Sequence, residues 1–421
     1  MNAVSIFTRI ITGFLVSKAL AIFVGPSGMA FVGNLRNFLN SVQSLSTFGI
    51  ANGIIKFTSE HKRNQAELSK VFSTAFFMII TAALFISIII FFSAGYWNEK
   101  LFQGHEFTNV IKALAMAIPF YAANMILLAV INGNQKYKLY TIINVIANFI
   151  GLAVSVFLMW KYNTQGALFA LVLVPALTFF ITFSLTFKKV KKYFYLISTR
   201  YFDSGYLKKF GSFSIMALIS ALLVPVAYIF VRNYIIDNQT ATEAGYWEAM
   251  NRISEYYLMF ITTLMTLYVL PRFSEIHSNK EFRREVFSFY KTILPILATG
   301  MILIFFLKDW IIRLVFSSEF LPMENLFLWQ MGGDFLKVAS VLLAYQFIAK
   351  KMFWHFVLTE IGSMGIFFVL SIFLVEKYGF TGAAMAHFYQ YVIYFVVILF
   401  IFRKKLLGKD FKEVGRGSPS N

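Results

Sequence analysis

SIFLVEKYGFTGAAMA, residues 371–386, repeats a passage that stands 216 residues earlier, SVFLMWKYNTQGALFA at 155–170. Eight of the sixteen positions are identical without a gap. The shared composition of apolar helices accounts for matched Phe, Leu and Ala. It does not account for Lys-Tyr and Gly-Ala held at one spacing across a helix–turn–helix boundary. The same offset sets IIKFTSEH (54–61) against VLPRFSEIH (269–277), pairing Lys56 with Arg272, Phe57 with Phe273, Thr58 with Ser274 and His61 with His277, and it places Arg36 on Arg252. An offset held from the second helix to the sixth points to duplication.

The chain that carries the repeat is apolar. Of 421 residues, 58% are hydrophobic and 14% charged, where a soluble chain carries roughly a quarter charged. Runs such as VFSTAFFMIITAALFISIIIFFSA (71–94) exceed the ~20 residues needed to cross a bilayer. Twelve spans are expected, at 3–24, 29–57, 71–94, 108–131, 138–160, 165–187, 209–235, 244–270, 286–307, 323–349, 353–375 and 380–402. The fold class is therefore an all-α polytopic membrane protein. Six spans per copy is an even number, so both copies enter the membrane in the same sense. That gives two parallel six-helix lobes about an axis along the membrane normal, with a site expected between them. The lobes fall at 1–192 and 209–405, joined by a linker at 193–208 and followed by a basic tail at 406–421.

The first span holds Lys18 and runs on without a small-residue cleavage site, so it reads as a retained helix rather than a signal peptide. With the N-terminus inside, most lysines and arginines fall on the even-numbered connections and the C-terminus. The opposite side keeps Lys100, Lys112, Lys161, Arg232, Lys308, Arg313 and Lys377. This bias puts both termini in the cytoplasm. The net charge of +18 is then a topology signal that suits anionic lipid headgroups, and it implies no nucleic-acid partner. With no cysteine in the chain, disulfide and thiol chemistry are excluded. The five histidines lack metal-binding spacing and no phosphate-binding glycine loop occurs, so neither a metal, an organic cofactor nor an enzymatic centre is expected.

Ionisable residues inside spans are functional candidates by default. The first lobe offers Lys18 and Arg36. The second offers Glu248, Arg252 and Glu255, stacked on one face of the eighth span at i, i+4, i+7, and Asp334 and Lys337 at i, i+3 on the tenth. Lys18, Arg36, Arg252 and Lys337 are the candidates to hold an anionic group, for which a guanidinium fork is well shaped. Glu248, Glu255 and Asp334 are the candidates for charge pairing or ion coupling, with H⁺ or Na⁺ as the ion. Asn34, Asn52 and Gln330 are candidates for a polar cavity wall, although single amides in spans also bond between helices.

Five collinear blocks, AIFVGPSGMAFVGNLRNF (21–38), GIANGIIKF (49–57), FSIMALISALLVPVAYIFVRNYI (213–235), GYWEAMNRISEYYLMFITTLMTLYVLPRFSEI (245–276) and LFLWQMGGDFLKVASVLLAYQFIAKK (326–351), resemble Wzx-type flippases. These belong to the multidrug/oligosaccharidyl-lipid/polysaccharide exporter superfamily, and the likeness is to the lipid III flippase branch. The resemblance implies an undecaprenyl-pyrophosphate-linked glycan moved between leaflets of a bacterial inner membrane by alternating access, with a polysaccharide polymerase as a partner. It implies a cationic cavity that includes the positions of Lys18, Arg36, Asp334 and Lys337. Glu255 matches an acidic position of that branch, whereas Glu248 and Arg252 stand where the branch carries uncharged residues. Three alternatives share some of these features: a cation or drug antiporter, a lipid II flippase, and a membrane polysaccharide polymerase or ligase. An antiporter requires unpaired acids in the cavity, and a polymerase or ligase a large outer loop.

Overall fold

In the computed structural model, which describes residues 2–194 and 196–407, the duplicated passage makes the same turn twice. Asn163 has φ 47° and ψ −126°, and Gly379 has φ 66° and ψ −154°; the offset of 216 separates them. Three residues on, the returning helix lies against the outgoing one. A Cβ on Gly166 would stand 1.9 Å from the Leu158 carbonyl oxygen, and one on Gly382 2.1 Å from that of Leu374. These pairs too are related by the offset. The motif therefore persists because only glycine admits that approach.

Fifteen α-helices run through the described residues: α1 (Asn2–Phe23), α2 (Gly25–Thr47), α3 (Ala51–Glu60), α4 (Gln65–Phe92), α5 (Ala94–Phe102), α6 (Thr108–Gly133), α7 (Tyr137–Phe194), α8 (Ser204–Asn238), α9 (Ala241–Leu264), α10 (Leu270–Glu275), α11 (Asn279–Phe306), α12 (Lys308–Val315), α13 (Phe327–Ala349), α14 (Phe353–Tyr378) and α15 (Thr381–Leu407), with 3-10 helices at Thr199–Tyr201 and Ser318–Leu326. Ten stretches are long and apolar enough to cross a membrane. Among these α7 counts once but turns back at Asn163, and α2–α3 is too polar to be counted. Twelve crossings result, as the sequence predicts, and both chain ends lie on one face, here the terminal face. Of the tail, residues 408–421 lie outside the described residues.

Two spans depart from the single helices predicted. The second ends at Thr47, where Phe48 and Gly49 take left-handed φ of 49° and 62°, and resumes as α3. The eighth widens into a π-turn over Met265–Val269 before α10. By the offset, Gly49 falls on Met265, so both lobes interrupt the corresponding helix at the corresponding level. Two connections read as loops contain short helices, α5 after the third span and α12 after the ninth.

Across the lobe boundary α2 packs against α8 and α9. The backbones come close at Gly245, where a Cβ would lie 1.8 Å from the Pro26 carbonyl oxygen. The linker is docked on α4: Ser73 Oγ donates to the Leu196 carbonyl and accepts from Ser198 N, while Thr74 Oγ1 accepts from Asp203 N. Phe85, Phe92, Ile302, Phe306 and Phe373 are exposed, which suits a surface facing acyl chains.

A non-glycine residue in the Asn163 conformation costs about 1–3 kcal/mol. Asn163→Gly should therefore raise the apparent Tm in detergent, and Gly379→Asn should lower it. A lowered Tm for Asn163→Gly together with a raised one for Gly379→Asn would show that this turn is not the shared device of the two lobes.

Candidate functional site

The charges predicted on the eighth span meet partners from other helices. Glu248 is fully buried and receives three guanidiniums. Arg36 on α2 reaches its Oε1 at 2.9 Å, Arg252 one turn further along α9 reaches the same oxygen at 3.2 Å, and Arg232 on α8 reaches Oε2 at 2.6 Å. The two arginines related by the repeat thus converge on one oxygen. Arg232, counted above among charges outside the membrane core, is instead buried in the lobe contact. It also donates to Asn34 Oδ1 at 2.9 Å and lies over the Trp247 ring at 5.3 Å. Its setting within YIFVRNYII (228–236), apolar on both sides, is the sequence signal for an intramembrane position.

Arg36 has a second acid, Glu255, at 2.7 Å. The two acids differ in kind. Glu248 is sealed among helices, whereas the Glu255 side chain is 58% exposed. Three guanidiniums against two carboxylates leave the cluster one positive charge.

Beside it lies a cavity of about 520 Å³ between the lobes, lined by Arg9, Arg36, Asn40, Glu255 and Lys337 among apolar neighbours. Lys337 Nζ stands over the Tyr391 ring at 5.8 Å. Its predicted neighbour Asp334 turns elsewhere: Tyr257 donates to Oδ2 at 2.5 Å and His387 Nε2 lies 2.9 Å from Oδ1. The i, i+3 spacing allows Asp334 to meet Lys337, but its carboxylate instead joins a Tyr–Asp–His set across α9, α13 and α15. Arg9, inside the first span, is a cavity residue not singled out from the sequence. Its place one helical turn before Thr12 and Gly13, among polar residues of an otherwise apolar segment, is the signal that could have marked it.

Lys18 lies apart from this cavity. Its Nζ donates to the carbonyl oxygens of Arg313 and Phe316, at 2.9 and 2.5 Å, where α12 ends. It also borders an apolar groove of about 480 Å³ between α1, α9, α11 and α12, whose walls include Phe14, Leu15, Ile304, Leu314 and Tyr256. Of the amides expected in a cavity wall, Asn34 is spent on the Leu101 carbonyl, Asn233 and Arg232. Asn52 is exposed on α3, and Gln330 is buried in α13 with its Oε1 unpartnered. The polar wall belongs to other residues: a chamber of about 830 Å³, set mainly in the first lobe, is lined by Asn124, Asn132, Asn144 and Asn148 together with Arg9, and by Arg252 from the second lobe.

Residues 19–325 match the polysaccharide biosynthesis protein family. The chain belongs to that family. Among curated proteins it is similar to the lipid III flippase of Escherichia coli (strain K12), 29% identical over 402 residues that cover 95% of this chain and 96% of that one. Two solved structures share the fold. One is an inward-facing multidrug resistance MATE family transporter of the MOP superfamily, with TM-score 0.77 and 13% identity over 96% of this chain and 94% of that one. The other is the lipid II flippase MurJ in an inward closed conformation, with TM-score 0.70 and 18% identity over 96% and 88%. The two-lobe, twelve-span architecture of this family member is thus that of membrane transporters.

Removing one partner of a buried ion cluster costs about 3–5 kcal/mol, while an exposed pair contributes about 0–1 kcal/mol. Glu248→Ala should therefore lower the apparent Tm sharply and Glu255→Ala barely. Equal losses in the two melts would contradict the division between a sealed and an open acid.

Proposed function

We propose that the chain is a flippase carrying a polyprenyl-diphosphate-linked oligosaccharide across the bilayer by alternating access of its two lobes, 1–192 and 209–405. The observation that carries this reading is the pair Arg36 and Lys337, contributed by different lobes to one cavity. Arg9 and Lys337 add two charges to the single excess charge of the Arg36 cluster. A diphosphate linked to lipid and sugar is an anion that cannot cross hydrocarbon unaided, and guanidinium forks match its oxygens. The similarity to a lipid III flippase supports a lipid-linked glycan, namely an undecaprenyl-pyrophosphate-linked unit, as cargo.

Arg36 is held by Glu248 on one side and by exposed Glu255 on the other. An incoming diphosphate exchanges with Glu255 at little cost while Glu248 keeps the guanidinium aimed. The polyprenyl chain lies in the apolar groove of Phe14, Leu15, Ile304 and Leu314, continuous with lipid. Lys18 becomes available to the headgroup when the α1–α12 contact opens, which assigns it to release. The terminal face is cytoplasmic and the far face periplasmic. Outward movement of the anion then gains ~2.3 kcal/mol per charge per 100 mV of inside-negative potential. The empty carrier resets with a coupling cation, H⁺ or Na⁺, at Glu255 or at Asp334, and a polysaccharide polymerase on the far face receives the product. A cation or drug antiporter requires the reverse polarity, an excess of acid, in the lobe cavity.

Arg36→Ala should abolish transfer of a glycosylated polyprenyl diphosphate between leaflets of proteoliposomes, measured per mole of folded, inserted protein. Transfer at the wild-type rate by that variant would overturn the proposal.

A further inference from the structure

The chamber of about 830 Å³, set mainly in the first lobe and closed by Arg252 and Tyr256 of the second, meets the diphosphate cavity at Arg9. Its volume lies in the upper part of the ~300–1,000 Å³ range of small-ligand pockets. Asn124 and Asn132 are eight residues apart on one face of α6, and Asn144 and Asn148 are one turn apart on α7. Thr12, Gln43, Ser155 and Thr178 add hydroxyl and amide groups. Intramembrane asparagines ordinarily bond to a neighbouring helix, but these do not. Asn124 Oδ1 is buried without a partner, and Asn144 Nδ2 returns to the Tyr140 carbonyl of its own helix at 2.9 Å. Among the described residues none of the four amides bonds to a side chain on another helix. A buried polar group left unmatched in this way costs free energy, which a ligand rich in donors and acceptors recovers.

We infer that this chamber is the saccharide subsite of the transporter, and that it selects cargo by the sugar next to the diphosphate, one bearing hydroxyl and acetamido groups. This inference rests on the flippase reading above. Arg9 lines both this chamber and the cavity of Arg36 and Lys337, so a diphosphate in that cavity presents its first sugar at the shared wall. Tyr256 lines both the chamber and the apolar groove, and accordingly the lipid and sugar ends of one molecule reach their sites around a common side chain. Asn side chains offer both an acceptor and two donors, which matches the amide and hydroxyls of an acetamido sugar. The wall carries two guanidiniums, Arg9 and Arg252, and no carboxylate among its lining residues. The headgroup therefore meets no like charge there.

The test compares two probes with purified protein in nanodiscs: undecaprenyl diphosphate without sugar, and the same lipid bearing one N-acetylhexosamine. The wild type should bind the glycosylated lipid at least about tenfold more tightly, a difference of ~1.4 kcal/mol. The double variant Asn124→Leu/Asn148→Leu should lose that gain and keep its affinity for the sugar-free lipid. Should that variant fold poorly, a single Ser155→Cys in this cysteine-free chain gives a second readout. Its labelling by a polar maleimide should be slowed by the glycosylated lipid and not by the sugar-free one. Equal affinity for both lipids, or equal protection by both, would overturn this assignment and leave the flippase reading standing. If neither lipid bound the wild type, both readings would fall together.

Discussion

A single buried carboxylate, Glu248, gathers guanidiniums from α2, α8 and α9 where the two lobes meet. The rest of the arrangement follows from the difficulty of keeping those charges inside a membrane. Any one of them alone costs several kcal/mol, and together they are tolerable only while the helices stay in contact. The close approach of α9 to Pro26 at Gly245 brings the backbones near enough for that contact. One positive charge remains uncancelled within the cluster. It faces the cavity because Glu255, the acid on that side, is exposed and Glu248 is not.

The cavities then divide according to the chemistry of an amphiphile. The groove beside Lys18 is apolar, the cavity at Arg36 and Lys337 is cationic, and the chamber set mainly in the first lobe is rich in amides. Two side chains lie on shared walls, Tyr256 between groove and chamber and Arg9 between chamber and cationic cavity. A lipid whose anionic linker separates a hydrocarbon chain from a sugar has the same three parts. Helix breaks at Phe48–Gly49 and at Met265–Val269, matched by the repeat offset, set α3 and α10 off at the terminal face from α2 and α9, which remain joined.

Much of this was legible in the sequence. The apolar runs mark twelve crossings, and the repeat around Asn163 and Gly379 sets the lobes in parallel, because a backbone turn that only a few residue types can make preserves its own motif. Arg36 and Lys337 stand out as charges within apolar spans. Less visible were contacts whose second partner is remote in sequence. Arg232 looks like a topogenic charge until α8 is packed against Glu248. The acceptors of Lys18 are backbone carbonyls, which no side-chain pattern reveals. The amide-lined chamber escaped because each asparagine alone reads as helix glue, and only the packing of α6 on α7 shows that they face a common space. Asp334 and Lys337 are near neighbours on α13, yet Tyr257 and His387 compete successfully for the carboxylate.

The central claim is that an anion held between the lobes trades access from one face to the other. Since the chain has no cysteine, pairs of introduced spin labels report on this directly. One pair, at Glu99 on α5 and Asp309 on α12, spans the lobes at the far face; a second, at Lys62 and Lys280, spans them at the terminal face. Adding glycosylated undecaprenyl diphosphate should shift the two distance distributions in opposite directions, one closing as the other opens. Two distributions that stay fixed, or that widen together, would contradict the account.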